Sequence, residues 1–200
     1  MTLGIDKLIL LNRSNSHLKL DKLKDDTQEY FKKLPGFDTL RLLLAKKVIL
    51  VEGPSDELIV QKAYCQEYKK LPIEDGIDVI TVRGLSFKRF LEIAKHLSIT
   101  VSVVTDNDGD IEKVKEKYKD YININTIRIC YDDNISSPTL EPQLVKINEL
   151  SALNSILGRN ESDENALIDY MTKNKTECAL KIFESEKEIN IPEYIKNAIK

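Results

Sequence analysis

From residue 37 onward the apolar positions of the chain fall into a repeating order. Residues 37–47 carry the spacing of a helix, and Val48-Ile49-Leu50-Val51 is an unbroken apolar run, as expected of a strand buried on both faces. Gly53-Pro54 breaks the run, and Ser55 is a suitable N-cap for a helix reaching about residue 68. Residues 77–82 form a second β-branched run, closed by Arg83-Gly84. Ser86 then opens a helix with Phe87, Phe90, Leu91, Ala94 and Leu97 at helical spacing. Residues 99–105 predict a third strand, stopped by Asp106-Asn107-Asp108-Gly109, and residues 126–131 a fourth. Between them, residues 111–118 alternate Lys and Glu as a solvated helix does. Beyond Pro142 the pattern is helical to the end. Ahead of all this lie a short apolar run, Leu8-Ile9-Leu10-Leu11, a polar stretch, and a turn signal at Pro35-Gly36.

Strands apolar on both faces, alternating with helices, predict an α/β fold: a parallel sheet of about four strands flanked by helices, with a helical C-terminal extension. In such sheets, sites gather beyond the C-terminal ends of the strands. Two acidic turns fall there, since Glu52 directly follows the first strand of the series and Asp106 the third. Composition changes this picture little. A hydrophobic fraction of 42% over 200 residues supports a real core, and a net charge of −3, from 30 basic and 33 acidic side chains, neither announces nor excludes a nucleic-acid binder. The three cysteines (Cys65, Cys130, Cys178) are scattered, and the two histidines (His17, His96) lack a cysteine pair, so a zinc site is not expected. No apolar run approaches a membrane span, and the expectation is a reduced, cytoplasmic protein.

The chemistry-bearing pattern lies in the two turns. A glutamate at a strand end followed by glycine, as in Glu52-Gly53-Pro54-Ser55-Asp56, sets one carboxylate at the crest of the sheet, with Asp56 in the first turn of the next helix. The plain alternative is that Asp56 complements the helix dipole and Glu52 is solvated. In Thr105-Asp106-Asn107-Asp108, two aspartates one residue apart can address one hard cation, and magnesium needs only a few carboxylates because it retains water. A calcium loop of the EF-hand type is excluded, since glycine stands at its fourth position (Gly109) and lysine at its twelfth (Lys117). A simple acidic turn is the remaining alternative.

These two stretches resemble the E-G and D-x-D signatures of Toprim domains. Residues 40–56 (LRLLLAKKVILVEGPSD) are similar to the entry into the Toprim domain of the OLD (overcoming lysogenization defect) nucleases. Thr139-Leu140-Glu141-Pro142 resembles that family's third acidic motif. Lys175-Thr176-Glu177-Cys178-Ala179-Leu180 resembles its late lysine motif, and Ile191-Pro192-Glu193-Tyr194-Ile195 its ending. The late motif departs in Thr176 for glycine and Cys178 for an aromatic, and position 56 is Asp where Glu is frequent. The resemblance implies a Rossmann-like Toprim sheet and a nuclease in which Glu52, Asp56, Asp106, Asp108 and Glu141 hold one or two Mg²⁺ or Mn²⁺ ions. Glu52, Asp106, Asp108 and Lys175 would be catalytic, Glu52 as a general base and Lys175 against phosphate charge, with Lys173 as a competitor for that role.

DNA is the substrate the resemblance implies. Arg83, Lys88 and Arg89, near the same crest, are candidates for phosphate contacts, and a solvated helix face is the alternative. Family members carry an ATPase domain and several act in anti-phage defence, the nuclease subunit of the Gabija system among them. Among its seven glycines this chain has no G-x-x-x-x-G-K-[ST], whereas residues 3–13 resemble the closing strand of such an ATPase domain. The expected organisation is therefore an N-terminal segment (1–36) ending an ATPase domain, a catalytic core (37–145) and a helical part (146–200) bearing the lysine motif. An ATPase domain or subunit and a homo-oligomer are the expected partners, with no membrane. The competing functions are an RNA-cleaving Toprim enzyme, or a non-catalytic module that binds nucleic acid or a partner.

Overall fold

A computed structural model describes residues 9–11, 17–19, 23–33, 37–82 and 87–200. The turn expected at Pro35-Gly36, and the Arg83, Gly84 and Ser86 of the second strand–helix junction, lie outside the described residues. The N-terminal apolar run contributes β1 (Ile9–Leu11), which pairs antiparallel with β2 (His17–Lys19). Helices α1 (Asp25–Lys33) and α2 (Phe37–Leu44) lead into the main sheet.

That sheet holds β3 (Lys47–Val51), β4 (Ile77–Thr81), β5 (Thr100–Val104) and β6 (Ile127–Cys130), all parallel, in the order β4-β3-β5-β6. The crossovers are α3 (Pro54–Tyr68), α4 (Phe87–Leu97) and α5 (Ile111–Tyr118). After β6 come α6 (Leu140–Ile147), α7 (Leu150–Leu157), α8 (Glu164–Lys173), α9 (Lys175–Glu184) and α10 (Glu193–Ile199). The four expected strands and their connecting helices are present, the strands shifted by a residue at one or both ends and α5 on its expected bounds. Among the described residues, no helix is long and apolar enough to cross a membrane.

The continuous apolar runs have the predicted cause. In β3, Ile49 and Val51 point into one core with α3 and α6 to α10, while Val48 and Leu50 point into a second with α2, α4 and α5; all four are fully buried. The C-terminal helices, together with α3, therefore cover one face of the sheet. On the far edge, Arg41 of α2 grips β4, donating to both carboxylate oxygens of Asp78 (3.0 and 2.7 Å) and to Val79 O (2.7 Å).

The strand order decides where the site can be. From β3 the chain crosses to β4 on one side, then returns to place β5 on the other, so the direction of winding reverses between β3 and β5. At such a switch point the loops beyond the strand ends part and leave a crevice. Glu52 leaves β3 and Asp106 follows β5, and these two strands are hydrogen-bonded neighbours with Leu50 opposite Val103.

Candidate metal centre at the sheet crest

At the end of β3 the helix begins two residues earlier than expected: Pro54 occupies the first helical position and Gly53, not Ser55, is the N-cap. Proline fits because its missing N–H would be unpaired there anyway. With this start Asp56 is the third helical residue, and its Oδ2 accepts from the Gly53 N–H at 2.9 Å. The dipole reading of Asp56 is thus part of its role, and it turns the carboxylate back over the crest. Gly53 has an ordinary extended backbone (φ −151°), so conformation does not demand glycine; a Cβ there would stand 3.6 Å from Asp56 Oδ2.

Across the switch point, the buried Thr105 hydroxyl donates to Glu52 Oε1, joining the two motifs side chain to side chain. Beneath them lies the buried hydroxyl of Tyr118. Burial, with a smaller push from the Glu52 charge, holds it protonated against the pull of Thr105, and it has no hydrogen-bond partner among the described residues.

Asp106 is half-buried and sits amid like charges. Burial first, then Asp56, Glu52 and Glu141, push its carboxyl up to about 8, with Lys175 opposing. Burial and the neighbouring Glu52 raise Asp56 to about 6, against the pull of the Gly53 N–H and Lys175. Glu141, in the first turn of α6 and nearly fully buried, receives the Lys175 ammonium at 3.1 Å. Lys175 opens α9, directly after Asn174, the residue that ends α8. Four carboxylates therefore face one ammonium.

Residues far apart in the chain, Glu52, Asp56, Asp106, Glu141 and Lys175, are brought within electrostatic reach of one another. Asp108 is not among them: it is exposed at the rim, with φ +49° and its N–H directed at Pro138 O (3.3 Å). Lys173 is exposed on α8. Of the basic residues expected to meet phosphate, Lys88 is exposed on α4, whereas Arg89 stacks 4.4 Å over the Tyr30 ring and lies 3.9 Å from Asp26 Oδ2. Arg83 lies outside the described residues. In and just after α5, Lys113, Lys115 and Lys119 pair with acids one turn away (Asp110, Glu112 and Glu116), as on a solvated helix, while Lys117 lies over the Phe87 and Tyr118 rings (5.4 and 5.1 Å).

Sequence reasoning missed a supporting ring: Thr105, Asn107, Tyr118, Gln143 and Tyr194. The Tyr194 hydroxyl is held protonated by burial and by Asp106 and Asp56, and it donates to Gln143 Oε1 at 2.9 Å. The positions of Thr105 and Asn107 on either side of Asp106, and of Tyr194 within the family-like ending, are the signals that could have drawn attention to any of them.

Among the described residues, no three His, Cys, Asp or Glu side chains already surround a point as a finished metal cage would. The donor chemistry nevertheless fits a hard divalent cation. The ligands at hand are all carboxylate oxygens, and the carboxyls of Asp56 and Asp106 are raised first by burial and then by neighbouring acids, a repulsion that a dication would relieve.

An α/β sheet with an acidic crest at this switch point defines the Toprim class, and residues 43–108 match the family described as "Overcoming lysogenization defect protein-like, TOPRIM domain". That match spans 66 of the 200 residues. The chain is 26% identical over 106 residues to the endonuclease GajA of Bacillus cereus (strain VD045), a match covering 52% of this chain and 18% of that protein. Its fold is similar to the C-terminal region of the Xanthomonas campestris pv. campestris OLD protein, with a TM-score of 0.58 and 20% identity over 80% of this chain and 92% of the other. It is also similar to the C-terminal region of the Burkholderia pseudomallei OLD protein, with a TM-score of 0.61 and 17% identity over 78% and 95%.

Proposed function

We propose that this chain is the metal-dependent nuclease module of an OLD-type protein, cutting or nicking DNA by phosphodiester hydrolysis. The observation that carries this reading is the meeting of Glu52, Asp56, Asp106 and Glu141 with the single ammonium of Lys175 at the β3–β5 switch point. A chain 26% identical to part of an endonuclease adds to it. Glu52, Asp56, Asp106 and Glu141 would hold one or two Mg²⁺ or Mn²⁺ ions, with Asp108 reaching in from the rim. Bound there, the cation would supply Lewis-acid activation of water and charge neutralisation at phosphate. The Thr105 hydroxyl fixes one oxygen of Glu52 and leaves the other free to accept a proton from water. Lys175 offers its ammonium to phosphate oxygens once a cation takes over Glu141. Lys88 meets the DNA backbone from α4.

The module works in the cytoplasm as the C-terminal part of an ATPase–nuclease of anti-phage defence. Residues 1–36 end the ATPase part, 37–145 form the catalytic core, and 146–200 deliver Lys175. The competing reading is a binding module without catalysis, favoured by the rim position of Asp108 and the Lys175–Glu141 pair. Supercoiled plasmid incubated with the protein and Mg²⁺ or Mn²⁺, beside Glu52→Ala and Asp106→Ala, separates the two. Nicking by wild type alone supports the nuclease, whereas DNA binding without nicking supports the binding module. Equal nicking by all three would place the activity elsewhere.

A further inference from the structure

Asn107, the residue between the two aspartates, is completely buried, and every hydrogen-bonding group of its side-chain amide is used. Its Nδ2 donates to Asp132 O at 2.7 Å and to Asn134 O at 3.1 Å, and its Oδ1 accepts from the Gly109 N–H at 2.8 Å. Two carbonyls at one end and an N–H at the other leave the amide a single workable orientation. An aspartate here would set a carboxylate against two carbonyl oxygens.

The segment it holds is itself tied down. Asp108 N–H donates to Pro138 O, Gln143 Nε2 to Ser137 O (2.9 Å) and the Tyr194 hydroxyl to Gln143 Oε1. Residues 132–138 run directly into α6, whose first turn bears Glu141. An unbroken set of hydrogen bonds thus runs from the residue after Asp106 to the helix of Glu141 and on to α10.

We propose that Asn107 is a positioning residue that locks Asp106 to Glu141, holding carboxylates from β5 and α6 at the separation a divalent cation needs. The inference rests on the nuclease reading above. Asn107 touches neither cation nor substrate, and it acts through the segment 132–138. Substitution of groups that orient ligands typically weakens metal affinity about 10- to 100-fold.

The test uses Asn107→Ser, Asn107→Ala and a control, Asn154→Ala. Serine can still accept from the Gly109 N–H but cannot clasp two carbonyls, so Asn107→Ser keeps the turn and informs even if Asn107→Ala does not fold. Asn154 is a buried amide with the same kind of task away from the site, donating to Glu161 O and accepting from Glu161 N–H (both 3.0 Å). Mn²⁺ binding is read by electron paramagnetic resonance of the free ion, melting temperature in EDTA beside it, and nicking at low and saturating Mn²⁺. The expected result is Mn²⁺ affinity weakened about tenfold or more in Asn107→Ser, with nicking partly restored at saturating Mn²⁺. Asn154→Ala should lose stability and keep wild-type Mn²⁺ affinity. Wild-type affinity in Asn107→Ser, or an equal loss in Asn154→Ala, would overturn the positioning role alone. Absence of Mn²⁺ binding by wild type would overturn the nuclease reading and this inference with it.

Discussion

Replacing Asp106 by asparagine should stabilise the metal-free protein at alkaline pH while abolishing nicking. The folded protein holds this carboxyl up to about 8, against an ordinary 3.8, through burial and then through Asp56, Glu52 and Glu141. Below about pH 4 the group is protonated whether the chain is folded or not, and its contribution is fully present. As the pH rises from there to about 8, the unfolded chain ionises Asp106 while the folded chain resists, so stability is lost across that window. Each pH unit between the two values is worth about 1.36 kcal/mol, which caps the loss at roughly 5–6 kcal/mol. Asparagine still buries a polar group, and Asp106 is only half-buried, so the recoverable part is on the order of 1–3 kcal/mol. For a chain of this size that corresponds to a rise in Tm of about 3–10 °C. The assay is thermal unfolding followed by circular dichroism in EDTA, from about pH 5 to about pH 8.5, for wild type and Asp106→Asn. The gap should be largest at the alkaline end and shrink toward about pH 5, and Mn²⁺ should raise the Tm of wild type more than that of the variant. A variant no more stable than wild type at alkaline pH, or a gap that ignores pH, would refute the account of Asp106 as a charge under repulsion.

Lys175→Met removes the only ammonium among the described residues that acts on Asp56 and Asp106, so the metal-free protein should lose stability above about pH 7 and nick at least tenfold more slowly; Lys173→Ala should change neither, by the same melting and plasmid assays. Thr105→Val keeps shape but withdraws the proton donated to Glu52, and should lower stability by about 1.5–3 kcal/mol in urea unfolding, together with a drop in nicking rate. On α4 the two basic neighbours should part company. Lys88→Ala should weaken DNA binding and lower its salt dependence by about one ion, whereas Arg89→Ala should lower Tm through the lost contact with Tyr30 and leave the salt slope as it was.

The layered α/β fold could be read from the chain because burial on both faces leaves a plain mark: Val48 to Val51 have no polar position, and each of the four runs is followed within two residues by Gly or Asp. Glu52 and Asp106 were legible for the same reason, being polar residues directly after apolar runs. What joins them to Glu141 and Lys175 is tertiary, and composition and spacing carry no trace of it; motif resemblance alone pointed to those two. The N-cap was misplaced at Ser55 because serine is the better capping side chain in isolation, whereas Pro54 at the first position and Asp56 reaching back to Gly53 decide the real start. Thr105 and Asn107 read as ordinary turn residues, since their partners lie 53 and 25 or more positions away. The two aspartates of Asp106-Asn107-Asp108 looked equivalent, yet the positive φ of Asp108 turns it to the rim.

One face of the sheet, made by Ile49, Val51 and Val104, is roofed by α3 and by helices that arrive only after residue 139. The stretch that matches the Toprim family, 43–108, ends before any of those later helices begins. Cut out by itself, that stretch would present a water-facing apolar floor and would aggregate rather than fold. The two acidic motifs are therefore not a portable cassette. Recombination that moves these motifs between genes would have to carry the chain through Ile199, and a shuffled version that stops short would lose its roof and Lys175 together.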